Sequence, residues 1–152
     1  VVFSIDTGAR LSELTGLKWA NVQLSDPANV MFIDTKNGKP RRVPLFPRVK
    51  DILEALPISS NAEYVFWHGD GEPYKSFQTS FTNTLRRTGI TNLRWHDLRR
   101  TCGCRLLQDQ NVTMVKVKEW LGHSSINVTE TTYAFLKQED LDEIVRVNTK
   151  CS

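Results

Sequence analysis

At 152 residues, with 39% hydrophobic and 24% charged residues, the chain has the size and composition of one globular domain with a core of its own. No apolar run is long enough to cross a bilayer and no signal-peptide pattern opens the sequence, so the expected setting is the cytoplasm, with no membrane partner. A formal net charge of +3 does not by itself identify a nucleic-acid partner.

The opening VVFSIDTGARLSELTGLKW is apolar up to a turn at Thr7 and Gly8. Leu11, Leu14 and Leu17 then recur at three-residue spacing, which predicts a short helix with Arg10 and Glu13 side by side on a neighbouring face. Val30–Thr35 and Arg41–Leu45 read as two strands of a hairpin whose turn contains Asn37-Gly38, with Lys36 where the first strand meets the turn. The stretch from Pro57 to Pro73 reads as irregular. A helical period resumes at Phe77, Phe81 and Leu85, and a further helix carries Leu98, Cys102 and Leu106 as its buried stripe, so that His96 and Arg99 project together from its start. VTMVKVKEWL predicts another helix, stopped by Gly122. SINVTETTY predicts a short helix bearing Tyr133, and QEDLDEIVRV a last amphipathic one. The expected fold is therefore α+β, mainly helical with a small antiparallel sheet, in a single domain over residues 1–152.

Charge is unevenly placed. Lys36 to Lys50 holds six basic residues and no acid, and Arg86 to Arg105 holds six arginines against Asp97 alone. Within these runs Lys39, Arg41, Arg42, Arg86, Arg87 and Arg100 are the candidate DNA-backbone contacts, although most such runs are merely solvated faces. The tail is locally acidic through Glu139, Asp140, Asp142 and Glu143. Cys102, Cys104 and Cys151 are odd in number, and the C-x-C spacing inside a predicted helix is not that of a zinc site, so they are expected to be reduced packing residues, with no metal and no cofactor.

Arg10, Lys36, His96, Arg99, His123 and Tyr133 each have a plain explanation when taken alone. Together they supply what metal-free phosphodiester transfer requires. Two guanidinium groups can grip nonbridging phosphate oxygens, a tyrosine can act as nucleophile with nearby cations favouring its phenolate, and histidine and lysine can move the protons.

The same residues carry a resemblance. TGARLSELTGLKW resembles the first arginine box of the tyrosine recombinases, the phage integrase family, DTKNGKPRRVPL its lysine hairpin, HDLRR its His-x-x-Arg box, and LGHSS followed by TTY its last histidine and nucleophile. The boxes occur in family order from Thr7 to about Tyr133. The resemblance implies Tyr133 as the nucleophile forming a 3′-phosphotyrosyl link, Arg10 and Arg99 as phosphate clamp, and Lys36 as general acid to the 5′-oxygen. It likewise makes His96 an acid/base partner and His123 a phosphate hydrogen-bond donor, with Glu13 supporting Arg10. It implies double-stranded DNA as partner and self-association on DNA, as a tetramer in the full-length synaptic complex, with the isolated domain monomeric. It also implies a prokaryotic, phage or mobile-element source. The family's N-terminal helical domain has no counterpart here, so a fragment of a longer chain, slightly truncated at its start, is expected. TCGCRLL departs from the family's more usual Thr-Phe-Ala segment, which should cause only local repacking because small residues still face the site. Two other readings are a type IB topoisomerase, which uses similar chemistry without the LGHSS box, and a DNA-binding module whose arginines only position phosphates.

Overall fold

Val30 faces Val43 at the centre of a three-stranded antiparallel sheet, and both are fully buried. The structure is a computed structural model and describes residues 1–33, 38–57, 63–69, 71–108 and 112–134. Its sheet runs β1 (Val22–Gln23), β2 (Asn29–Phe32) and β3 (Arg41–Pro44), in that order. The two strands expected from sequence are β2 and β3; β1, which is two residues long, was not expected. Lys36 and Asn37 lie outside the described residues, as do Cys151 and the predicted helix over QEDLDEIVRV.

Among the described residues the sheet is accompanied by α1 (Val2–Thr7), α2 (Leu11–Thr15), α3 (Pro47–Glu54), α4 (Gln78–Thr88), α5 (Trp95–Gln108) and α6 (Met114–Leu121). Residues 126–134 are also helical. Among the described residues no helix is long and apolar enough to cross a membrane.

Local sequence accounts for the boundaries. Pro47 starts α3, where a missing N–H costs nothing and a fixed φ suits the helix. Gly122 stops α6 in the left-handed conformation, with φ +65°. Gly8 does the same for α1, and its lack of a side chain also decides packing: a β-carbon there would lie 2.4 Å from Leu121 Cδ2. The turn after α1 thus approaches the end of α6 closely enough to share a site with it.

The apolar side chains form two clusters. One joins Phe3, Val30, Phe32, Val43, Val49 and Leu53 between the sheet, α1 and α3. The other joins Cys102, Leu106, Val117, Leu121 and Tyr133 where α5, α6 and the 126–134 helix meet. Full burial of each such aliphatic or aromatic side chain contributes roughly 1.5–3 kcal/mol. Residues 63–69 and 71–73 belong to no helix or longer strand and are tied down by isolated bridges from Lys18 to Tyr64 and from Trp67 to Pro73.

Candidate active site

Three successive carbonyls close α6, and each accepts a hydrogen bond from a different arginine. Arg41 Nη1 donates to the Trp120 oxygen at 2.5 Å, Arg99 Nη2 donates to the Leu121 oxygen, and Arg10 Nη2 donates to the Gly122 oxygen at 3.2 Å. The last carbonyls of a helix have no intrahelical donor and sit at the negative end of its dipole, so they suit cations. Here they gather three guanidinium groups from distant parts of the chain.

Arg10 and Glu13 pair as the helical spacing requires. Arg10 Nη1 donates to Glu13 Oε1 at 2.7 Å, and the Arg10 backbone N–H donates to Oε2 at 2.8 Å, which caps α2. Burial opposes the Glu13 carboxylate, but the Arg41 charge and the bonds from Arg10 and Arg41 outweigh it and hold its pKa below the ordinary value. Arg99 leaves α5 one turn from its start and also donates to the Gly8 oxygen at 2.6 Å, so it ties the turn after α1 to the end of α6. Burial, and then the nearby charges of Arg10 and Arg41, pull its pKa down to about 9.

His123 follows directly on Gly122. Its Nδ1 is 2.8 Å from Thr129 Oγ1, which orients the ring and leaves Nε2 as its other polar atom. Partial burial, followed by the charges of Arg99, Arg10 and Arg41, lowers its pKa to about 4, so the ring is neutral at pH 7. His96 is exposed at the start of α5, and desolvation and Arg99 lower its pKa as well.

Two residues have surroundings other than those expected from sequence. Arg41, expected on the surface, is buried: it is 7% exposed, its guanidinium lies 4.6 Å over the Phe32 ring, and its Nη2 donates to Glu13 Oε2 at 2.6 Å. The reason is strand alternation. With Val43 facing the core, Arg41 must face it too, and Arg42 must face out. The other is Tyr133, whose phenol was expected to be acidified. It is 1% exposed, packed in the second core cluster against Gly103. Burial, then Cys104, pushes its pKa up to about 12, and Arg99 offsets this only in part.

The remaining candidates Lys39, Arg42, Arg86, Arg87 and Arg100 are all at the surface, with Arg86 and Arg87 in the last turn of α4. A groove of about 910 Å³ between β3 and α6 is lined by Lys39, Arg42, Lys116, Lys118 and His123, among others. Sequence placed Lys116 and Lys118 only within a helix, and the structure sets them along this groove just before the helix end that precedes His123. Lys36 lies outside the described residues. Cys102 is buried and Cys104 half-buried, both as free thiols, and the departure TCGCRLL does place small residues beside Tyr133. Among the described residues no three His, Cys, Asp or Glu side chains are grouped to hold a metal ion.

A mainly helical domain with a small antiparallel sheet, converging three arginines on one helix end beside His123, has the architecture of a tyrosine recombinase catalytic domain. The phage integrase family model matches residues 1–140, and the chain belongs to that family. It is 30% identical over 145 residues to the integrase of Haemophilus phage HP1, a match covering 93% of this chain and 38% of that protein. It is 25% identical over 125 residues to the shufflon-specific DNA recombinase of Escherichia coli, covering 82% of this chain and 31% of that one. The chain therefore spans less than half the length of these curated relatives. Among solved structures, the catalytic domain of bacteriophage HP1 integrase superposes with a TM-score of 0.66 at 28% identity, covering 88% of this chain and 71% of that one. The XerH recombinase bound to its difH substrate superposes with a TM-score of 0.73 at 22% identity over 94% of this chain and 43% of that one, a likeness of fold.

Proposed function

We propose that this chain is the catalytic domain of a site-specific DNA recombinase or integrase that cuts and rejoins double-stranded DNA through a 3′-phosphotyrosyl intermediate. One observation carries the reading: three guanidinium groups, from Arg10, Arg41 and Arg99, converge on one helix end, with Glu13 as the carboxylate partner of Arg10 and Arg41. Both neighbouring histidines have pKa values lowered first by burial and then by the nearby arginine charges. A phosphate diester supplies the missing anion, and Arg10 and Arg99 offset the charge that builds on its nonbridging oxygens as phosphorus becomes five-coordinate.

In the proposed step the Tyr133 oxygen attacks phosphorus, the P–O5′ bond breaks, and the phenolic proton leaves through His96 or water. The departing 5′-oxygen takes a proton from Lys36, whose role rests on the resemblance alone. Neutral His123 donates its Nε2 proton in a hydrogen bond to a nonbridging oxygen, while Nδ1 accepts from Thr129. Because the new phosphotyrosine retains the energy of the broken ester, attack by a free 5′-hydroxyl reverses the chemistry and needs no nucleotide cofactor. Tyr133 is held among core residues, where burial pushes its pKa up to about 12, so the proposed step requires its phenol to leave that slot. Self-association on DNA, as a tetramer, belongs to the same proposal and rests on the family resemblance.

The test is incubation with a nicked duplex selected from a randomised pool by binding to this protein. A covalent adduct resistant to denaturant, and absent from Tyr133→Phe, is the expected result. Binding without any adduct would leave a phosphate-positioning module instead.

A further inference from the structure

We propose that Arg41 is a positioning residue for Arg10, and that it acts by occupying one oxygen of Glu13 so that Arg10 cannot close on both. The inference rests on the strand-transfer reading above.

The geometry is specific. An arginine beside a carboxylate tends to pair with it through two parallel N–H···O bonds, which would turn both ends of its fork inward. Here that closure is blocked. Glu13 Oε2 already accepts from Arg41 Nη2 at 2.6 Å and from the Arg10 backbone N–H at 2.8 Å. Only Oε1 remains for the Arg10 side chain, which takes it through Nη1 at 2.7 Å. Arg10 Nη2 is thereby left to the long 3.2 Å contact with the Gly122 oxygen, a bond weak enough to be exchanged for a phosphate oxygen.

Arg41 is itself fixed from three sides. Its Nη1 donates to the Trp120 oxygen, its guanidinium lies over the Phe32 ring, and its side chain runs against the α-carbon of Gly122, where a β-carbon would stand 2.7 Å from Arg41 Cδ. Its Nε is buried with no hydrogen-bond partner, a cost tolerated at a residue whose amino groups are committed elsewhere. The side chain thus couples the sheet to the turn that carries His123. A DNA contact would need exposure, and Arg41 is 7% exposed.

The experiment compares wild type, Arg41→Met, Arg10→Ala and the double variant on the selected nicked duplex. It reads dissociation constant, adduct rate at saturating DNA, and the Arg10 side-chain N–H signals by ¹⁵N NMR. Arg41→Met is expected to slow the saturated rate by up to ~10²-fold, the scale of a misplaced catalytic group, with little change in affinity. It should add nothing to Arg10→Ala, and the Arg10 signals should show closure onto Glu13. An unchanged saturated rate would overturn the inference, as would an undiminished further loss in the Arg10→Ala background. So would weakened binding with a normal saturated rate, which is the signature of a phosphate contact. Should Arg41→Met not fold, Arg41→Lys is judged by the same outcomes, since a single ammonium cannot bridge Glu13 and the Trp120 oxygen as the fork does. A wild-type protein giving no Tyr133-dependent adduct would sink the strand-transfer reading; the NMR signals alone then decide whether Arg41 holds Arg10 open.

Discussion

The Tyr133 hydroxyl lies so close over Gly103 that a β-carbon on that glycine would stand 1.9 Å from the phenolic oxygen. The glycine therefore forms the floor of the slot that holds the ring. Because burial is what chiefly raises the phenol to about 12, filling the floor should lower it. Gly103→Ala is expected to displace the ring and bring its titration down towards the ordinary value of about 10. A ¹³C NMR titration of labelled tyrosines, assigned with Tyr133→Phe, reads this directly. An unmoved titration would mean that α5 shifts and the ring stays.

Tyr133 carries two tasks that its substitutions should separate. The phenyl ring, which Tyr133→Phe keeps, is what packs in the second core cluster. Tyr133→Phe should therefore abolish the covalent adduct while leaving thermal stability and DNA affinity near wild type. Tyr133→Ala removes a ring from the second core cluster and should cost about 3–5 kcal/mol in denaturant melts. Equal destabilisation by both changes would point to an essential role for the hydroxyl in packing.

Arg99 should prove costly on both counts. It is 4% exposed and satisfies the Gly8 and Leu121 carbonyls while facing the proposed phosphate. Arg99→Ala is expected to slow adduct formation by at least ~10²-fold. Its two lost charge-assisted hydrogen bonds should each destabilise by about 1.5–3 kcal/mol. Single-turnover cleavage and urea unfolding of the same preparation measure the two effects. A stable variant that cuts at the wild-type rate would remove Arg99 from the clamp.

Two local features of this arrangement were legible in sequence because helical spacing is local. Arg10 with Glu13 at i, i+3, and Gly122 as the stop before His123, follow from periodicity and helix-end chemistry alone. What escaped was set by contacts distant in sequence. Arg41 was read with its basic neighbours, although alternation from Val43 already turned it inward. The burial of Tyr133 depends on Gly103, thirty positions earlier, whose bare α-carbon makes room for the ring. The three-carbonyl hub at the end of α6 joins β3, α5 and the turn before α2, and no window of sequence contains it.

The contrast between Arg41 and Arg42 gives a salt-dependence test. Arg42 is exposed beside the groove, and Arg86 is exposed on α4. If each contacts one phosphate, Arg42→Ala and Arg86→Ala should each reduce the slope of log K against log salt by about 0.9. Fluorescence anisotropy with a labelled duplex at several salt concentrations measures that slope. An unchanged slope for either variant would remove that residue from the DNA interface.

His123 should make the domain sensitive to acid. Its pKa is about 4 in the folded chain, and its ordinary value is 6.5. As pH falls through that interval the unfolded chain takes up the proton while the folded chain resists it, so stability rises with pH across the window and is lost as pH drops from about 6.5 to 4. Below about 4 both states are protonated and this contribution levels off. Carboxylates titrate in the lower part of the same range, which makes the difference between wild type and His123→Asn the useful quantity. Asparagine keeps a polar atom near the position of Nδ1, within reach of Thr129, but carries no proton to titrate. Urea melts between pH 4 and 7 should therefore show a shallower slope for His123→Asn. A bound anion gives an independent check, because inorganic phosphate placed among Arg10, Arg99 and His123 would offset the charges that depress the ring. The His123 titration, followed by NMR, should then move upward. Identical slopes for wild type and variant, with no response of the ring to phosphate, would show that His123 does not face the arginine cluster's charge in solution.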